Sequence, residues 1–275
     1  MEAFMSKLVS VIIGIYNVEK TLREALDCIL AQTYTNWEVV MCDDGSKDKT
    51  VEIATEYVEK YPGKFVLIRN ETNQGLNITL NNCLKVAKGD YIARMDGDDT
   101  CSPTRFAQQV EILDNNPDIS IVSTDMLFFD HSGVWGQTSA KAKPEKLDFF
   151  HTNAFCHAAA MVRRQAYIDV EGYTVDKRLL RVEDYHLWAK MYSKGYRGVN
   201  IQEPLYQMRD DHNAIKRRKF KYRLNAAYAH HEARKLLKLP FWYDIFGMKS
   251  VLKGLVPTFI YRYIHRKKHQ PKDSK

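Results

Sequence analysis

The 275-residue sequence has no stretch of about 18 uncharged apolar residues, the run a bilayer-spanning helix needs, so no transmembrane helix is expected. Its start, "MEAFMSKLVSVIIGIYN", has no long apolar segment followed by a small-residue cleavage site, and no signal peptide is expected. Cysteine is sparse: Cys28, Cys42, Cys83, Cys101 and Cys156 are scattered, odd in number and never in a CxxC pair. Reduced thiols in a cytosolic protein are the simplest reading. There is no GxGxxG after the first apolar run and no GxxxxGK[ST] anywhere, which argues against a Rossmann dehydrogenase and a P-loop NTPase. No internal repeat is present, and no low-complexity linker precedes about residue 210.

What is present divides by charge. The net charge is +7, yet residues 216–275 carry 17 Lys and Arg against three Asp and Glu. The preceding residues carry 24 against 31. An acidic body with a basic tail suggests chemistry in the first and attachment to something anionic through the second. With 45% hydrophobic residues, the chain suffices for one large domain with appendages.

The first half alternates between two periodicities. "LVSVIIGIY" (8–16), "WEVVMCDD" (37–44), "KFVLIRN" (64–70) and "DYIARMD" (90–96) read as buried strands. Between them, 18–32, 48–61 and 75–87 have helical spacing, with Asp48 available as a cap. This predicts an α/β fold, a mostly parallel central sheet flanked by helices, with ligands bound beyond the carboxyl ends of the strands. Further on, 102–117 reads as a helix, 119–129 as a strand pair or bend, 157–173 as a short strand and helix, and 182–195 as a helix opening with acids.

The strand ends read "YN", "DDGS" and "DGDD", gathering acids on one edge. Asp43 and Asp44 before Gly45 suit a turn equally well. Asp96, Asp98 and Asp99 within four positions repel one another unless a cation compensates, and oxygen-only ligands suit Mg²⁺ or Mn²⁺ shared with substrate phosphates. An EF-hand loop begun at Asp96 would need Glu where Ala107 stands.

"VSVIIGIYN", "DDGS", "NQGL", "GDYIARMDGDD" and "VEDYHLW" occur in an order and spacing that resembles the family-2 nucleotide-sugar glycosyltransferases of the GT-A fold, over residues 6–215. The resemblance implies an inverting transferase using a metal-bound nucleoside diphosphate sugar, with UDP as the expected nucleotide and Mn²⁺ or Mg²⁺ as cofactor. It implies that Gly14, Ile15, Tyr16 and Asn17 lie along the nucleotide base and that Asp44 binds uracil. Asp96 would approach the ribose or a metal-bound water, Asp98 would hold the metal, and Asp99 would be a partner in orientation. Of the pair Glu183 and Asp184, Asp184 would be the catalytic base, and His212 is a candidate further metal ligand. His157 reads equally as structural or as an acceptor contact, and Trp188 as core.

Residues 1–215 are thus expected to form the catalytic domain and 216–275 a basic, amphipathic helical tail. In the tail, Phe241, Ile245, Met248, Leu252, Leu255 and Phe259 recur at helical spacing, with Trp242, Tyr243 and Tyr261 nearby. That pattern suits the inner surface of a cytoplasmic membrane; packing on the catalytic domain or on a second copy in a homodimer is the alternative. No nucleic-acid motif accompanies the charge. The expected acceptor is a saccharide or lipid-linked glycan in surface polysaccharide synthesis. A catalytically silent nucleotide-sugar-binding protein and a nucleotidyltransferase are the alternatives.

Overall fold

The computed structural model describes residues 6–152, 154–210 and 220–254. Its first half follows the expected alternation: β1 (Val9–Ile15), α1 (Leu22–Leu30), β2 (Trp37–Asp43), α2 (Thr50–Lys60), β3 (Phe65–Arg69), α3 (Leu76–Val86) and β4 (Tyr91–Arg94). Then come β5 (Thr100–Cys101), α4 (Arg105–Asn115), β6 (Ile121–Asp130), β7 (Gly133–Gln137), β8 (Met161–Arg163), α5 (Arg164–Asp169), α6 (Glu183–Ser193) and β9 (Gly198–Arg209). Two helices follow, α7 (Phe220–Leu236) and α8 (Ile245–Lys253).

β1 is apolar apart from Ser10, whose Oγ donates to Glu38 Oε1 (2.6 Å), because both its faces are covered. Val9, Val11, Ile13 and Ile15 pack with Leu22 and Leu26 of α1, Ile53 of α2 and Phe106 of α4. Ile12 points the other way, toward Leu80 and Cys83 of α3 and Leu187 and Trp188 of α6. Successive strand side chains alternate between faces, so a sheet between two helical layers favours a near-continuous apolar run.

The sheet order is β3-β2-β1-β4-β8-β6-β9-β5, with β7 on β6. The four strands of the first half run parallel, as expected. Beyond β4 the sheet is mixed: β8 is antiparallel to β4 and β6, and β9 is parallel to β6. Residues 119–129 resolve into the long strand β6 with a hairpin partner, β7. β9, which the sequence pattern does not announce, contains Pro204, and its pairing with β6 shifts register there, at Thr124/Asp125 and Asp125/Met126. A proline is tolerated within a sheet at such an irregularity.

α7 begins at Phe220 and packs on the catalytic body. Ala229 and Ala233 are fully buried, Asn225 Nδ2 donates to the Leu180 carbonyl (2.9 Å), and Tyr185 Oη meets His230 Nδ1 (3.1 Å). No helix among the described residues is long and apolar enough to cross a membrane. His212, Leu255, Phe259 and Tyr261 lie outside the described residues.

Candidate active site

The carboxyl ends of β1, β2 and β4 open onto a cleft of about 740 Å³ lined by Gly14, Ile15, Tyr16, Asp44, Asp96, Asp98 and Asp99. Glu183 and Arg181 line it from the α6 side, and Tyr222 and Arg223 from α7. Gly14 permits close packing at this edge, since a Cβ there would stand 3.1 Å from both Leu76 Cδ1 and Thr79 Cγ2 of α3. Tyr16 is 46% exposed at the rim. Asn17 braces the loop: its N–H donates to Ser46 Oγ (3.0 Å) and its Oδ1 accepts from Lys47 N (2.8 Å). The cap position of α2 is Lys49, without a side-chain cap bond; Asp48, expected as the cap, stands one residue earlier and accepts from Thr50 N through Oδ1 (3.0 Å).

In the DDGS turn, Asp43 is buried and accepts from Ser46 N (3.1 Å). Asp44 reaches across to the loop before α3. Its Oδ1 accepts from Asn70 Nδ2 (2.8 Å) and Gln74 N (2.7 Å), and its Oδ2 from Gly75 N (2.9 Å). A carboxylate has about four lone-pair sites, so three bonds fix Asp44 and leave acceptor capacity at the cleft.

Asp96, Asp98 and Asp99 each bring one carboxylate oxygen to within 4.8 Å of the others. The sequence reading missed what holds them. Arg94, 3% exposed, donates from Nη1 to Asp96 Oδ2 (2.8 Å) and from Nη2 to Asp96 Oδ1 (2.6 Å). Burial opposes the guanidinium charge, and the Asp96 carboxylate more than offsets that. Tyr206 of β9 accepts from Asp96 N (3.2 Å) and donates to Asp99 Oδ2 (2.8 Å). Arg209 completes the clamp, its N–H on Asp99 Oδ1 (2.8 Å) and its Nε on the Asp98 carbonyl (3.0 Å). Burial, then the charges of Asp96 and Asp98, hold the Asp99 carboxyl well above the usual carboxylate range. The one sequence signal for Arg94 is a cation inside an otherwise apolar strand, "YIARMD".

Across the cleft, α6 opens with the second acid pair. Burial, then the adjacent Asp184 charge, raises Glu183 to about 6. Burial also raises Asp184. The Arg94 charge acts on both in the opposite sense. The charge of Arg94 therefore acts on both acid groups. His157 is structural: its Nε2 meets Tyr173 Oη (2.7 Å), its ring packs edge-on to Trp188, and burial, then Arg94, keeps it neutral. Trp188 is core, as expected. Arg163 braces the sheet, its Nε donating to the Ile119 carbonyl (2.8 Å).

A covered sheet with carboxylates massed at its strand ends, facing an acidic helix N-terminus, is the arrangement of a GT-A-fold glycosyltransferase. Residues 10–171 match glycosyl transferase family 2, and the chain belongs to that family. It is 42% identical over 260 residues to the glycosyltransferase EpsE of Bacillus subtilis, covering 94% of each chain. It is 28% identical over 212 residues to WfaP of Escherichia coli, a UDP-Glc:α-D-GlcNAc-diphosphoundecaprenol β-1,3-glucosyltransferase, covering 74% of this chain and 78% of that one. Among solved structures, S. aureus TarS bound to UDP-GlcNAc superimposes with a TM-score of 0.69 at 19% identity, over 90% of this chain and 71% of that one. The mannosyltransferase PcManGT of Pyrobaculum calidifontis, bound to GDP-Man and Mn²⁺, gives a TM-score of 0.58 at 20% identity, over 96% and 81%. The protein is a glycosyltransferase with the GT-A fold.

Proposed function

We propose that the protein is a metal-dependent, inverting glycosyltransferase that moves a sugar from a UDP-sugar to a hydroxyl of a saccharide or lipid-linked glycan in surface polysaccharide synthesis. The observation that carries this reading is the three-carboxylate cluster and Glu183 lining one cleft from opposite sides, with Asp184 next to Glu183 in the first turn of α6. The UDP-Glc donor and diphosphoundecaprenol-linked acceptor in the name of WfaP, and the UDP-GlcNAc bound to TarS, support the choice of substrates. Residues 1–215 are read as the catalytic domain and 216–275 as an attachment segment.

An oxygen-only donor set with oxygens 4.8 Å apart or less fits Mg²⁺ or Mn²⁺. Asp98 is the leading ligand, because it stands where the second acid of the family's DxD motif stands, in the sequence Asp96-Gly97-Asp98. A bound divalent cation would stabilise the charge that develops on the leaving diphosphate. The chain does the rest. Gly14, Ile15 and Tyr16 receive the base, and Asp44 accepts a base N–H with its remaining capacity. Asn17 holds that loop in place. Asp184 takes the proton from the acceptor hydroxyl as it attacks the anomeric carbon opposite the diphosphate. Glu183 shares its charge field. Burial raises Asp184 above the ordinary carboxylate range, which increases its proton affinity as a base.

The test is transfer from a UDP-sugar panel with Mn²⁺ by wild type and Asp184→Asn. The variant should keep donor binding and lose transfer by about 10²-fold or more. Near-normal transfer would refute the base assignment.

A further inference from the structure

Helix α8 is apolar on two sides. Its inner side packs on the body: Phe246 and Tyr243 meet the Phe150 ring at 5.9 and 5.2 Å. A Cβ on Gly247 would stand 3.1 Å from the Ala227 Cα and carbonyl oxygen, so α7 and α8 touch backbone to backbone there. The outer side carries Ile245 (56% exposed), Met248 (63%) and Leu252 (60%), and Phe241 (75%) and Trp242 (62%) precede them in the 3-10 turn Phe241–Asp244. From Phe241 the spacings to Ile245, Met248 and Leu252 are four, three and four. Turn and helix together present a row of exposed apolar side chains on a platform packed against α7. A stripe of this kind on a surface marks an interaction site.

We propose that this stripe docks the enzyme on an anionic phospholipid bilayer, with α8 lying in the interface. Charge decides between occupants. The sequence segment that carries the stripe, residues 216–275, holds 17 Lys and Arg against three Asp and Glu, so an anionic lipid surface attracts this segment of the chain. A second copy would bring two strongly cationic segments together. The position matters for the reaction. α7 carries α8 on one side and contributes Tyr222, Arg223 and Ala226 to the cleft, so docking brings the cleft wall next to the bilayer. A lipid-linked acceptor would then arrive along the surface. That last step rests on the function proposed above; the docking does not.

The test uses the full chain and vesicles of phosphatidylcholine, with or without phosphatidylglycerol, in the absence of donor and acceptor. Failure here is therefore distinct from failure of the transferase reading. Wild type should sediment with the anionic vesicles and release with salt. The variant Phe241→Ser/Ile245→Ser/Met248→Ser/Leu252→Ser should partition about tenfold or more weakly while keeping its donor turnover. Trp37 and Trp188 are buried and the half-buried Trp135 stacks on Phe128, so vesicle addition should blue-shift emission through the exposed Trp242, and Trp242→Phe should remove most of that shift. Equal binding to both vesicle types, or unchanged binding of the quadruple variant, overturns the proposal. So does a stable wild-type dimer that the quadruple variant dissolves.

Discussion

Arg94 and Asp96, two residues apart at the end of β4, meet through two parallel hydrogen bonds of 2.8 and 2.6 Å. The first acid of the DGD sequence is therefore already neutralised by the chain itself. Replacing Arg94 with Leu leaves the Asp96 charge without its partner. The expected loss is about 2–4 kcal/mol, below the full figure for a sealed pair because the Asp96 side chain keeps 31% exposure. Urea unfolding of Arg94→Leu, Asp96→Asn and the double variant checks this: the double variant should be more stable than the sum of the two single losses predicts. Additive losses would mean that the pair contributes no coupling.

Tyr206 links both halves of the sheet at the site. Its hydroxyl accepts from Asp96 N and donates to Asp99 Oδ2, 107 residues away in sequence. Tyr206→Phe should cost about 1–3 kcal/mol, since two groups lose a partner while the ring stays packed. It should also weaken donor binding more than Tyr192→Phe, a change remote from the cleft. Calorimetric titration with UDP and Mn²⁺ on both variants measures the difference.

Glu183 sets a pH dependence of stability. Its folded value of about 6 lies above the ordinary 4.5, so the folded state holds this proton more tightly than the unfolded chain. Its contribution is complete below 4.5 and is lost as the pH rises through 6, about 2 kcal/mol in all. Glu183→Gln removes that dependence. Relative to wild type, the variant should gain stability between those two pH values, as read from urea midpoints. A constant difference across the window would show that Glu183 does not titrate as described.

Much of this architecture is legible in the chain. β1 to β4 are short apolar runs separated by amphipathic helices, and their ends carry the acids, so local pattern and site coincide. β9 is not legible, because Pro204 and its polar neighbours break the strand pattern while pairing with β6 absorbs the irregularity. The clamp on Asp99 is invisible for the same reason, since it depends on Tyr206 and Arg209 arriving from that strand. Asp44 reads as a ligand contact or a turn residue, and the structure gives it three loop hydrogen bonds that no spacing announces. In the tail, Ala229 and Ala233 dock α7 on the body, and small residues in a basic helix give little warning of burial. The exposed row from Phe241 to Leu252 is, by contrast, plain in the spacing alone.

The central claim is that Asp98 and its neighbours hold a divalent cation that fixes the donor diphosphate, while Asp184 serves only the acceptor side. Thermal unfolding with UDP and Mn²⁺, separately and together, tests it in wild type, Asp98→Ala and Asp184→Asn. The account predicts that wild type and Asp184→Asn are stabilised by UDP only when Mn²⁺ is present, and that Asp98→Ala is not. Stabilisation by UDP without metal, or an undiminished response in Asp98→Ala, would contradict it.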